Sequence, residues 1–126
     1  MPGPEFISIE TVCDLHEDGI RRFGGTLGVR DRGAIESALG AAQNVYFYAD
    51  ANVFTIAATY AYHLAQAQAF LDGNKRVAIA VAFVFLAANG YDKTPDADAC
   101  YDAMIGIAER RLSKADLAEL FRELFA

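Results

Sequence analysis

The stretch from Val77 to Ala88 is an unbroken run of apolar side chains, entered through Lys75-Arg76 and left through Asn89-Gly90. A helix that is apolar on every side has no face to give to water and belongs in the middle of a core. At this length it cannot cross a bilayer, which takes about 20 residues. The run therefore predicts an all-helical protein packed around one buried helix, Lys75 to Ala88, with Asn89-Gly90 ending it in a left-handed cap. A chain of 126 residues that is 54% hydrophobic can build one such core, so a single compact domain of about six helices is expected.

The remaining elements follow from spacing and punctuation. Ser8 can cap a helix over Ile9 to Phe23, where Ile9, Val12, Leu15 and Ile20 recur at near-helical intervals and Gly24-Gly25 gives the stop. Gly24 to Arg32 reads as a loop, with Asp31 placed to cap a second helix from Gly33 to about Ala42. Val45, Tyr46, Phe47 and Tyr48 have strand-like composition, but no second run of this kind exists to pair with them, so a lone extended segment or flap is expected. The Ala-rich stretch Asn52 to Ala69 reads as a long buried helix, broken by Phe70-Leu71-Asp72-Gly73-Asn74. Pro95 and Asp96 can start a further helix carrying Cys100, Met104 and Ile107. Ser113 to Asp116 resembles a capping box ahead of a last helix with Leu117, Leu120, Phe121, Leu124 and Phe125 on one face. The opening Met1 to Phe6 resembles a cloning scar or a disordered N-terminus, which sets the domain at residues 7–126.

Charge and cysteine usage narrow the function. Seventeen Asp and Glu against eleven Lys and Arg remove the broad attraction to phosphate backbones, so nucleic acid is not an expected partner. Cys13 and Cys100 lie far apart without a CxxC or Cys/His cluster, which predicts two buried reduced thiols rather than a metal site or a disulfide. No secretory signal is recognised and no membrane span is expected, so a cytoplasmic location follows.

Chemistry concentrates in Ala69 to Arg76, a polar loop with two cations leading into the apolar helix. A helix N-terminus already offers unpaired N–H groups and the positive end of the dipole, so Lys75 and Arg76 oppose it unless a polyanion is bound there. Arg76 can grip phosphate oxygens bidentately, Lys75 adds a point charge, Asn74 can donate amide hydrogens, and Gly73 lets the backbone come close. Asp72 is an oxygen ligand suited to Mg²⁺, which sits between one or two carboxylates and substrate phosphates. The same residues also suit a plainer role, with Asp72 and Asn74 capping the helix and the cations reaching to solvent.

Phe70, Asp72, Asn74, Lys75 and Arg76 match the defining positions of a signature read as His-x-Phe-x-Asp/Glu-x-Asn-Lys/Gly-Arg, and on these residues the chain resembles the Fic/Doc family. Leu15-His16, Arg22 to Gly25, Gly28, Arg30-Asp31, Phe85-Leu86 and Asn89-Gly90 resemble its Doc branch in the same order. The resemblance implies a helical Fido fold whose loop holds ATP and Mg²⁺, with Val45 to Tyr48 as a flap that docks the target. Lys75 resembles the Doc branch, which implies phosphoryl transfer to elongation factor Tu by the toxin of a toxin–antitoxin pair held by a Phd-like antitoxin. Family members with Gly at that position usually transfer AMP, so AMP transfer remains the related reading, and a non-catalytic binding module is a third.

One position departs from the pattern. The signature's histidine falls at Gln68, and a carboxamide is no base near neutral pH. Gln68 can still hydrogen-bond an acceptor hydroxyl, but weak or absent activity is expected. It reads as an engineered replacement, as a natural pseudoenzyme, or as a natural active variant that uses another base or none. His63 is set about 140° around a helix from Gln68 and is expected in the core or at its rim. His16 is expected to be structural, with the option of facing the nucleotide.

Overall fold

A computed structural model describes residues 3–93 and 97–126, apart from the side chains of residues 97 and 99. The described residues form six helices: α1 (Ile9–Phe23), α2 (Arg32–Ala49), α3 (Val53–Ala67), α4 (Asn74–Ala88), α5 (Ala97–Ala108) and α6 (Lys114–Phe125). The expected start of α5 at Pro95 and Asp96 lies outside the described residues. None of these helices is long and apolar enough to cross a membrane.

Local chemistry sets most helix ends. The Ser8 hydroxyl accepts from Thr11 N–H, Asp31 accepts from Ala34 N–H, and Asn52 accepts from Thr55 N–H, each relieving an orphan donor of a first turn. Ser113 and Asp116 form the reciprocal capping box that opens α6. Gly24, at φ 84°, closes α1 with its N–H on the Ile20 carbonyl.

Two expectations are corrected here. Val45 to Tyr48 are not extended; they form the end of α2, which runs seven residues past the expected stop to a left-handed Asp50. Nothing between Ala42 and Asp50 breaks a helix, so continued i→i−4 bonding overrides the strand-like composition. At the other end, the described residues 3–6 are docked. Glu5 exchanges two hydrogen bonds with the Asn89 side chain, at 2.8 and 3.0 Å, and Phe6 packs against Tyr46, Phe47 and Phe85. The packed body therefore begins before Ile7.

Two adjacent helices share the centre. α4 is buried along Val77, Ala78, Val81, Ala82, Phe85 and Leu86, as its composition requires. α3 packs against α2, α4, α5 and α6, and its small residues Ala57, Ala58, Ala61 and Ala65 let those neighbours come close. Tyr60 is fully buried, and its hydroxyl accepts the Ile7 N–H at 3.0 Å. Cys100, Met104 and Ile107 fill the α5 side, and Leu117, Phe121 and Phe125 the α6 side. Cys100 is buried as expected, whereas Cys13 is only partly covered.

His63 lies at the rim, where its Nε2 accepts from the Lys114 ammonium at 2.8 Å and ties α3 to the first turn of α6. Burial, and then the Lys114 charge, holds the imidazole below its ordinary value. With a depressed folded-state pKa, the unfolded chain binds more protons below about pH 6.5, so stability is complete above that pH and falls as the medium acidifies through it. Thermal midpoints measured between about pH 5 and pH 7 should climb with pH, and His63→Gln should flatten that climb.

Candidate functional site

Two loops meet at the start of α4. The α1–α2 loop and the segment between α3 and α4 form a short antiparallel bridge between Val29 and Phe70. The Arg30 and Asp31 N–H groups donate to the Ala69 carbonyl at 2.7 and 3.0 Å, and Leu71 N–H donates to Gly28 at 3.1 Å. Phe70 is 1% exposed and anchors the signature segment in the core.

A cleft of about 220 Å³ opens above this junction, walled by Gln68, Asp72, Gly73, Lys75, Arg76 and Tyr101 among others. The residues expected to carry chemistry are thus brought to one place. Gly73 sits at φ 75° and serves as the N-cap of α4 with no side-chain capping bond, so the first N–H groups of the helix are left to the cleft. The Arg76 guanidinium lies 3.9 Å from the Phe23 ring centroid and 4.9 Å from that of Tyr101. Stacking holds its charge at the cleft mouth, and Gly24, Gly73 and Arg76 also line a second cavity of about 210 Å³ between α1 and α4.

Asp72 is exposed and held by its neighbours: Oδ2 accepts from Thr26 N–H at 3.2 Å and Oδ1 from Gly73 N–H at 2.9 Å. Each oxygen keeps lone-pair capacity for a cation. Among the described residues no group of three or more His, Cys, Asp or Glu could hold a metal alone. One positioned carboxylate beside a cationic, N–H-rich cleft suits a Mg²⁺ that takes its remaining ligands from phosphates and water.

Asn74 differs from the expected phosphate donor. It is buried, its Oδ1 accepts Phe70 N–H at 3.1 Å, and its Nδ2 donates to the Phe70 carbonyl at 3.0 Å and to Gln68 Oε1 at 3.4 Å. Its amide is spent on shaping the loop. Asn74→Ala should leave both Phe70 backbone groups unsatisfied and cost about 2–4 kcal/mol in urea unfolding. A loss under about 0.5 kcal/mol would contradict that role.

Gln68 also sits differently from its helical expectation. α3 stops at Ala67, and Gln68 is the left-handed C-cap, at φ 51°, with Nε2 donating to the Ala65 carbonyl at 3.0 Å. The carboxamide closes the helix and meets Asn74 at the cleft edge. Val45 to Tyr48 do not line the cleft; Phe47 and Tyr48 are exposed at the end of α2, while Val45 and Tyr46 are partly covered. Phe23 and Tyr101 at the site carry no functional signal in their own local pattern, because each arrives from a distant element, and His16, expected to be structural with the option of facing the nucleotide, meets the loop at the Asp72 carbonyl.

The Fic/DOC family model matches residues 6–86, the segment that holds both loops and all but the last two residues of α4. Over 120 residues the chain is 33% identical to "Protein kinase doc" of Escherichia phage P1, covering 94% of each. Over 115 residues it is 36% identical to "Toxin Doc" of Mycolicibacterium smegmatis, covering 88% of this chain and 86% of that protein. The chain belongs to the Fic/DOC family.

Proposed function

We propose that this chain is the toxin half of a toxin–antitoxin pair, whose chemistry is ATP-dependent phosphoryl transfer to a protein hydroxyl, and that Gln68 leaves it catalytically impaired. The observation that carries the reading is the convergence of Asp72, Lys75, Arg76 and the uncapped start of α4 on one cleft, with Gln68 at its edge. Similarity to relatives named as a protein kinase and as a toxin supports the same reading.

Each group has a part. The α4 N–H groups, Lys75 and Arg76 neutralise the phosphates and fix their position, which is most of what phosphoryl transfer asks of a protein. Asp72 would hold Mg²⁺, whose charge offsets that developing on the transferring group. Gln68 can orient an acceptor hydroxyl by hydrogen bonding but cannot remove its proton. Elongation factor Tu is the proposed target, a Phd-like antitoxin the proposed partner, and the cytoplasm the proposed location. The fixed left-handed Gln68 also favours a second reading, a binding module that keeps nucleotide or partner affinity without transfer.

Intact-mass spectrometry of elongation factor Tu, incubated with ATP, Mg²⁺ and either this chain or Gln68→His, tests the proposal. A phosphate-sized gain with the histidine variant is expected. An AMP-sized gain would reassign the reaction, and no gain with either version would remove the kinase assignment for this target.

A further inference from the structure

His16 is a buried polar side chain on α1, only 4% exposed, and it reaches across the fold rather than along its own helix. Thr59 and Asn74, the other buried polar residues among those described, bond within six residues of themselves, to Thr55 and to Phe70 and Gln68. His16 Nε2 instead lies 2.7 Å from the Asp72 carbonyl oxygen, 56 positions away. A carbonyl can only accept, so Nε2 carries the hydrogen. The ring also stacks on Phe70, at 3.8 Å between centroids and 14° between planes, which fixes its rotation. A Cβ at Gly73 would stand 3.5 Å from His16 Nε2, in ordinary contact, and 3.2 Å from Ile20 Cδ1, a tight one, so the loop lies close against α1.

We propose that His16 is a positioning residue for the metal–phosphate site, acting through the main chain of Asp72. The Asp72 peptide is clamped from α1 by His16, while its carboxylate is held from the next loop by Thr26 N–H and locally by Gly73 N–H. Three anchors fix both ends of one short side chain. Without the His16 bond the Asp72 carbonyl is unpaired and the peptide is free to rotate, carrying the carboxylate away from the mouth of the cleft. Partners that orient a metal-binding carboxylate without touching the metal are commonly worth about 10–100-fold in metal affinity.

The inference rests on the ATP and Mg²⁺ reading of the cleft, so its test separates the two. ATP affinity is measured calorimetrically with Mg²⁺ and with EDTA for the unaltered chain, His16→Phe and His16→Gln, alongside each thermal midpoint. His16→Phe keeps a ring on Phe70 and loses the donor; His16→Gln can return an N–H without the ring. His16→Phe is expected to lose roughly 10-fold in affinity with Mg²⁺ and to match the unaltered chain in EDTA, with His16→Gln recovering much of the difference. Variants that keep the full Mg²⁺ enhancement, whatever their midpoints, would overturn the positioning role alone. An unaltered chain that binds no ATP in either buffer would remove the nucleotide site and this role with it. If His16→Phe does not fold, His16→Gln and a Thr26→Pro chain, which lacks the N–H on the carboxylate, carry the same comparison: an unchanged Mg²⁺ enhancement in both overturns the proposal.

Discussion

Gln68→His is expected to raise the initial rate of transfer to the target hydroxyl by about 10²–10⁴, the usual worth of a positioned general base. The backbone at this position favours the exchange. Residue 68 is left-handed, at φ 51° and ψ 40°, and histidine is among the non-glycine residues that tolerate that region. The rest of the cleft stays as it is, so the substitution adds a proton acceptor to a site that already holds the charges. The signature of the effect is its pH dependence. With histidine the rate should rise as the imidazole loses its proton, near its ordinary pKa of about 6.5, whereas the glutamine chain should show no such limb. A gain of less than about tenfold, or a rate indifferent to pH, would mean that no base is supplied at position 68.

Phe70→Ala is the structural change with the largest expected cost, about 3–5 kcal/mol by chemical denaturation. The ring is 1% exposed, stacked on His16, and carried on the strand-like bridge that joins the two loops. Its removal leaves a hole that α1 and α4 cannot close without moving the loop between them. Against a typical folding free energy of about 5–15 kcal/mol, this is a large fraction of the whole. Phe70→Leu should cost less, because it keeps most of the volume. A Phe70→Ala chain within about 1 kcal/mol of the original would show that the signature segment is not anchored by its aromatic residue.

How much of this was readable in advance depended on whether the signal was local. The bounds of α1, the caps at Ser8 and Asp31, and the capping box at Ser113 come from chemistry within four residues, and they appear where the sequence places them. The apolar run of α4 likewise announces a buried helix. Val45 to Tyr48 misled because aromatic and β-branched residues prefer strands on average, while a helix already under way with no breaker before Asp50 simply continues. Asn74 was expected to face the ligand because its amide suits phosphate. Only the fold shows that Phe70 N–H and C=O already use that amide. The contacts that His16 and Tyr101 make with this loop were out of reach for a different reason, although His16 had the option of facing the nucleotide. The two side chains join the loop from α1 and α5, and nothing in their neighbouring residues encodes that meeting.

The most direct test of the central claim is calorimetric titration of Mg–ATP into the unaltered chain and into Arg76→Ala and Lys75→Ala, with thermal midpoints as the control for folding. Saturable binding at one site, weakened roughly tenfold or more by either substitution, is the predicted result, since each removes a charge from the cleft at the start of α4. Binding that survives both substitutions undiminished, or no saturable binding to any folded form, would contradict the assignment of this cleft to nucleotide phosphate.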